Sequence, residues 1–112
     1  MRRRLLSLIG VALIVSACGR SYSTADIESA KTAGQPIIQR ITDYNRAHGR
    51  YPASLQEAGI APVKTKLGTF EYERRGETNA EYFVLLVGDY NRNGFVLFWN
   101  SEMTSHGWLV EE

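Results

Sequence analysis

Apolar residues in the middle of the chain recur at steps of three and four positions, the spacing of one helix face. Ser23 or Thr24 can cap the start of such a helix, and Gly49 suits its left-handed end. We therefore predict one helix with a single apolar stripe. The stripe consists of Ile27, Ala30, Gly34, Ile37, Ile41, Tyr44 and His48, with Ile38 beside it.

Pro36 lies inside this pattern, where it removes one backbone hydrogen bond and crowds the preceding turn. We expect either a kink near Pro36 or a weak first segment followed by a firm helix that begins there. After the helix, Ser54 and Glu57 have capping-box spacing, and Gly59 can end the short turn that they start.

Beyond Pro62 the pattern changes to strands. Phe70 and Tyr72 alternate with Glu71 and Glu73, and later segments are rich in aromatic and β-branched residues. Polar or Gly-containing turns separate them. The predicted strands cover residues 70–73, 81–87, 95–99 and 108–110. The expected fold class is α+β, with one N-terminal helix packed on a four-stranded antiparallel meander.

The two central strands carry apolar side chains at successive positions, and therefore on both faces of the sheet. One helix stripe can cover only one face. We expect the uncovered face to be a surface for a protein partner.

The first residues have a different character. Arg2, Arg3 and Arg4 precede an apolar run from Leu5 to Ala17, and Cys18 follows. Such a run spans about 20 Å as a helix, less than the roughly 30 Å of a bilayer core. The segment is therefore expected to be an export signal rather than a permanent membrane anchor.

The sequence from Val15 to Cys18 resembles the lipobox of bacterial lipoproteins. The resemblance implies lipid attachment to Cys18, cleavage before it, and acylation of the freed amine with a fatty acid such as palmitate. Residues 1–17 would be the signal peptide, 18–23 the lipidated tether and 24–112 the folded domain. Gly19 stands where an inner-membrane retention signal would have aspartate, which implies the periplasmic side of the outer membrane in a Gram-negative host. The alternative is ordinary signal cleavage after Ala17, which would leave a free thiol.

The balance of charged residues in the chain bears on which classes of binding partner to expect. The chain has 13 basic and 12 acidic residues, and removal of Arg2, Arg3 and Arg4 leaves 10 basic against the same 12 acidic. This balance gives no electrostatic case for nucleic acid or for anionic lipid. Cys18 is the only cysteine, so no internal disulfide can form.

Residues 41–57 contain a tyrosine-bearing helix end, a His-Gly-Arg-Tyr-Pro corner, and then Ser-Leu and an acidic residue. This segment resembles the globular region of type II secretion major pseudopilins and type IV pilins. The resemblance implies a helix, a loop and an antiparallel sheet in that order. The apolar segment differs from that of pilins, because it ends in a lipobox and contains no acidic residue.

Asp89–Gly94 reads Asp-Tyr-Asn-Arg-Asn-Gly, the opening of a calcium loop. Its twelfth position is Asn100, however, so only Asp89 would contribute charge. We favour a plain hairpin loop in which the Asp and Asn side chains bind the backbone and Asn93 and Gly94 adopt positive φ.

Other candidate groups have structural explanations as well. His48 and His106 lack nucleophile partners, and Glu71, Glu73, Glu77 and Glu81 fit a solvated surface. An aromatic set, consisting of Tyr82, Phe83, Phe95, Phe98, Trp99 and Trp108, can form a carbohydrate or peptide platform, although core packing explains at least half of it.

We therefore expect no catalytic residue, cofactor, metal or small-molecule substrate. The expected protein is a lipid-anchored, non-enzymatic accessory of the cell envelope, held to the membrane through Cys18 and bound to an envelope protein. One alternative is a small envelope enzyme or enzyme inhibitor, which a pocket formed by Asp89, Glu102 and His106 would favour. The other is an atypical pilus or pseudopilus component.

Overall fold

The computed structural model describes residues 22–112. The predicted signal peptide, Cys18 and most of the predicted tether lie outside the described residues. The fold is α+β, as the sequence predicts. Its elements are α1 (Thr24–His48), β1 (Lys64–Thr65), β2 (Gly68–Thr69), β3 (Glu71–Arg75), β4 (Tyr82–Asp89), α2 (Tyr90–Asn93), β5 (Phe95–Asn100), a 3-10 turn (Thr104–His106) and β6 (Trp108–Glu111).

Helix α1 begins with a complete capping box. The Asp26 amide donates to Ser23 Oγ at 3.1 Å, and the Ser23 amide donates to Asp26 Oδ2 at 3.2 Å. Ser23 is thus the cap, rather than Thr24. The helix ends at Gly49, whose φ of 76° is left-handed and whose amide donates to the Asn45 carbonyl. Both ends therefore lie where the sequence predicts them.

The helix runs without interruption through Pro36, and a weaker first segment stays a prediction. Ala30 and Gly34 are buried before the proline, and Ile37 and Ile41 are buried after it. Packing on both sides offsets the backbone hydrogen bond that the proline removes. A bend of the helix axis at this position stays a prediction.

Strands β3 to β6 form the predicted antiparallel meander, in the order β3-β4-β5-β6. Strands β1 and β2 form a separate two-stranded hairpin that the sequence pattern does not predict. Leu67 in its turn is 1% exposed and joins the core, as does Phe70, which is 3% exposed. The hairpin therefore closes the core beside the helix.

The core lies between α1 and one face of the sheet. The sheet contributes Phe83, Leu85, Val87 and Leu97, all 1% exposed or less. The predicted helix stripe is confirmed from Ile27 to Ile41. Beyond Ile41 it is wrong: the Tyr44 ring stacks on exposed His48 with centroids 4.0 Å apart, and the Arg50 guanidinium lies 5.7 Å from the Tyr44 ring centroid.

The corner after the helix binds the sheet. Pro52 is fully buried, and the Tyr72 hydroxyl donates to its carbonyl at 2.6 Å. The Tyr51 ring meets Phe83 edge-on with centroids 5.2 Å apart. The Tyr51 amide also donates to Glu81 Oε1 at 3.2 Å. Glu81 therefore anchors the corner and does not belong to a purely solvated set.

At Gly34 the helix lies against the Trp108 and Phe70 rings. A Cβ atom at this position would lie 2.6 Å from Trp108 Cη2 and 3.0 Å from Phe70 Cζ. Real Cβ atoms do not tolerate such distances, so glycine here makes room for the indole.

We predict that Gly34→Ala lowers the free energy of unfolding by up to about 2 kcal/mol. Alanine favours a helix over glycine by roughly 1 kcal/mol, but overpacking costs about 1 to 3 kcal/mol. Denaturant titration measures the difference. In a Trp108→Leu background the same change should be less destabilising, because the nearer of the two obstructing rings is gone. A stabilising effect of Gly34→Ala in the unaltered chain would contradict this account of the contact.

Candidate binding face

The sheet has a second face, opposite α1, which we call the open face. Residues paired across antiparallel strands point to the same side. Because Leu85 pairs with Trp99 and Tyr72 on the helix side, the neighbouring positions point away from the helix. The apolar side chains of the open face are Val84, Leu86, Val96, Phe98 and Leu109.

These side chains are not part of the core between helix and sheet. Val84, at the middle of β4, is 4% exposed because neighbours within the sheet surround it. Leu86, Val96, Phe98 and Leu109 are partly exposed. They form a continuous apolar strip over the three strands β4, β5 and β6.

Four residues of the strip, namely Val84, Leu86, Val96 and Phe98, form the floor of a shallow groove with a cavity volume of about 250 Å³. Arg75 and Asn100 stand towards one end of the strands. Tyr90 and Glu111 stand towards the other end, with Tyr90 51% exposed. The groove therefore combines an apolar floor with polar and charged walls, which is the usual composition of a protein-binding site.

Charged residues border the strip on both edge strands. Glu71, Glu73 and Arg75 lie on β3, and Glu111 lies on β6. The Arg75 guanidinium bonds the Glu73 carboxylate, and this hydrogen bond is the main cause of the raised pKa of Arg75. Partial desolvation and then Glu111 raise the pKa of the Tyr90 hydroxyl. The wall therefore holds one internal ion pair and two further carboxylates.

The structure divides the aromatic set between the two faces. Phe83, Phe95, Trp99 and Trp108 belong to the core or pack against it. Trp99 and Trp108 have ring centroids 6.1 Å apart, and within the described residues the buried Nε1 of each lacks a hydrogen-bond partner. Only Tyr82 and Phe98 lie on the open face. A single aromatic platform is therefore not assembled.

The Asp89–Gly94 segment is a capped helical turn. Asp89 Oδ1 accepts from the Asn91 amide at 2.7 Å, and Asn93 Oδ1 accepts from the Asp89 amide at 2.8 Å. Gly94 has the expected positive φ, 85°. The expectation of positive φ at Asn93 is wrong, because Asn93 ends α2 and is 4% exposed. The buried side-chain oxygen of Asn93 therefore stabilises the turn from inside.

The other candidate residues are distributed over the surface. Asp89 precedes β5, whereas exposed Glu102 and His106 follow its far end. Six strand residues separate these sites by about 20 Å. Glu71, Glu73 and Glu77 are exposed. Over residues 22–112, no three His, Cys, Asp or Glu side chains are grouped to hold a metal, and no helix is long and apolar enough to cross a bilayer.

Comparison of the chain with protein-family models, with curated proteins and with solved structures gives no match. The lipobox and pilin resemblances therefore rest on their motifs in the sequence.

We predict that calcium does not stabilise the Asp89–Gly94 turn, because its carboxylate and its buried amide oxygen already accept backbone hydrogen bonds. The thermal midpoint should be the same with millimolar calcium and with a chelator. Asp89→Ala should cost about 1 kcal/mol through loss of the cap, equally in both conditions. A midpoint that rises with calcium in the unaltered chain, and not in Asp89→Ala, would contradict this prediction.

Proposed function

We propose that the protein is a lipid-anchored, non-enzymatic accessory of the cell envelope, and that its open face binds an envelope protein. The observation that carries the proposal is the apolar strip of the open face, which no described element covers. Partly exposed apolar side chains grouped in a walled groove are the usual mark of an interaction surface.

The anchor is the second support. The lipobox-like sequence that ends at Cys18 gives the only cysteine a role, and two or more acyl chains make attachment stable. Tyr22, four positions later, packs its ring against Phe95 with centroids 6.1 Å apart. Four residues reach at most about 14 Å. On this proposal the Phe95 end of the domain stays close to the bilayer, and the open face stands beside it.

The enzyme alternative has less support. An acid–base site needs its groups within hydrogen-bond reach of one substrate. Asp89 is instead a helix cap, and Glu102 and His106 lie beyond the opposite end of β5. The pilus alternative lacks support of a different kind, because cleavage before Cys18 would remove the apolar segment with which a pilin assembles.

We predict that Cys18→Ser abolishes lipid attachment, because no other side chain of the chain can form the thioether. Metabolic labelling with a fatty-acid analogue should be lost, and the protein should be released or retained as the uncleaved precursor. A Ser16→Thr form, which keeps the cysteine, serves as the labelled control. Continued labelling of the Cys18→Ser form would refute the lipoprotein assignment.

We predict that Phe98→Thr impairs partner binding without unfolding the domain. Threonine suits a strand, and loss of cross-strand contacts on a partly exposed face should cost about 1 to 2 kcal/mol, less than the loss of a fully buried side chain. Capture of the envelope partner by the full-length lipoprotein should weaken about tenfold or more, as at interface hot spots.

Leu97→Ala is the matched control, because Leu97 is the neighbouring residue, faces the helix and is 0% exposed. It should lower the free energy of unfolding by about 2 to 5 kcal/mol. Its effect on capture should follow the folded fraction. If both variants lose capture only in proportion to unfolding, the open face is not the binding surface.

A further inference from the structure

We infer that the occupant of the open face is an amphipathic helix of a partner protein, with basic residues along both flanks of its apolar side. This inference rests on the proposed function and names the chemistry of the partner. It follows from the width of the apolar strip and from the charges on either side of it.

The width suits one helix. Strands β3 and β6 are three strand spacings apart, or about 14 Å, and a helix with its side chains is about 10 to 12 Å wide. The apolar floor formed by Leu86, Phe98 and Leu109 runs across one row of this surface. Val84 and Val96 extend the floor along the strands. Helix α1 covers the opposite face of the same strands, so the second helix would complete a three-layer arrangement.

The charges beside the strip indicate which side chains the partner helix should carry on its flanks. Glu73 is engaged by Arg75, whereas within residues 22–112 neither Glu71 nor Glu111 forms an ion pair. Glu71 lies on β3 beside Leu86, and Glu111 lies on β6 beside Val96. A carboxylate thus borders the strip on each edge strand. Lysine or arginine on both flanks of an incoming helix would meet these two groups.

Two other occupants fit less well. A second copy of the chain would bring the same two carboxylates to the interface, and like charges there cost binding energy. An anionic lipid surface would repel Glu71 and Glu111 for the same reason. Both occupants are therefore outcomes that the experiment must distinguish.

The test uses the mature lipidated protein in nanodiscs of zwitterionic phosphatidylcholine, with empty nanodiscs as background. The first probe is a fluorescent synthetic helix that carries leucines on one side and lysines along both flanks. The second probe has glutamate in place of every lysine. Fluorescence anisotropy gives the dissociation constant of each.

The lysine-flanked helix should bind the unaltered protein at least tenfold more tightly than the glutamate-flanked helix. Glu71→Gln with Glu111→Gln should weaken its binding about tenfold, and Phe98→Thr should weaken it by at least as much. The matched control is Glu28→Gln with Asp43→Asn, which removes two carboxylates from exposed positions of α1. This control should bind like the unaltered protein.

Equal weakening by the two double variants would overturn the inference, because binding would then follow total charge rather than the open face. Self-association that Phe98→Thr abolishes would assign the face to a second copy instead. If the protein itself binds nanodiscs that contain anionic lipid more tightly than phosphatidylcholine nanodiscs, and Phe98→Thr removes this difference, the open face binds the membrane surface. If the probe helix fails to bind while envelope capture still depends on Phe98, the helix chemistry is wrong and the proposed function stands. If envelope capture does not depend on Phe98 either, both the further inference and the proposed function are wrong.

Discussion

The packing of α1 across one face of the sheet is the contact on which the rest of the structure depends. A four-stranded sheet without a cover cannot bury enough apolar surface, and an isolated helix of this composition gains its stability from packing. Ile37 and Ile41 meet the core-facing residues of β4 and β5 in a region from which water is excluded. Gly34 lets the helix approach close enough for the Trp108 ring to lie against its backbone. The corner at Pro52 then fixes the direction in which the chain leaves the helix.

The same contact creates the open face. A strand that is central in a sheet and apolar at successive positions has two faces to cover, and the chain contains only one long helix among its described residues. The side chains on the second face are therefore shielded only by their neighbours within the sheet. Val84 gains nearly full burial in this way, whereas Leu86 and Phe98 do not. The candidate site is thus a consequence of helix count and strand composition rather than of a catalytic motif.

Much of the fold could be predicted from the sequence, because the signals were local. The helix stripe, its caps at Ser23 and Gly49, and the four strands all follow from spacing and turn residues. The β1–β2 hairpin could not be found this way, since two-residue strands show no periodicity. The contact between the Tyr51 ring and Phe83 could not be found either, because a contact between distant segments depends on tertiary packing.

The candidate site was predictable only in outline. Apolar residues at successive positions indicated two apolar faces, but the sequence does not say which alternate residues the helix covers. Strand register decides that Trp99 lies under the helix and that Phe98 lies on the open face. The charged walls of the groove could not be predicted from the sequence either. Glu71 and Glu111 are 40 positions apart, and only the order of the strands places both beside the same strip.

The modest size of the open face and the proposed lipid anchor are physically connected. A groove of about 250 Å³ with a few partly exposed apolar side chains offers little area, and association in solution loses translational and rotational freedom. A partner held at the same membrane has lost much of that freedom already, so its effective concentration at the groove is high. Attachment through Cys18 and a short tether would therefore strengthen binding without any additional contact. On this argument, release of the domain from the membrane would weaken partner capture even though the open face is unchanged, and a partner that is itself anchored would be affected most.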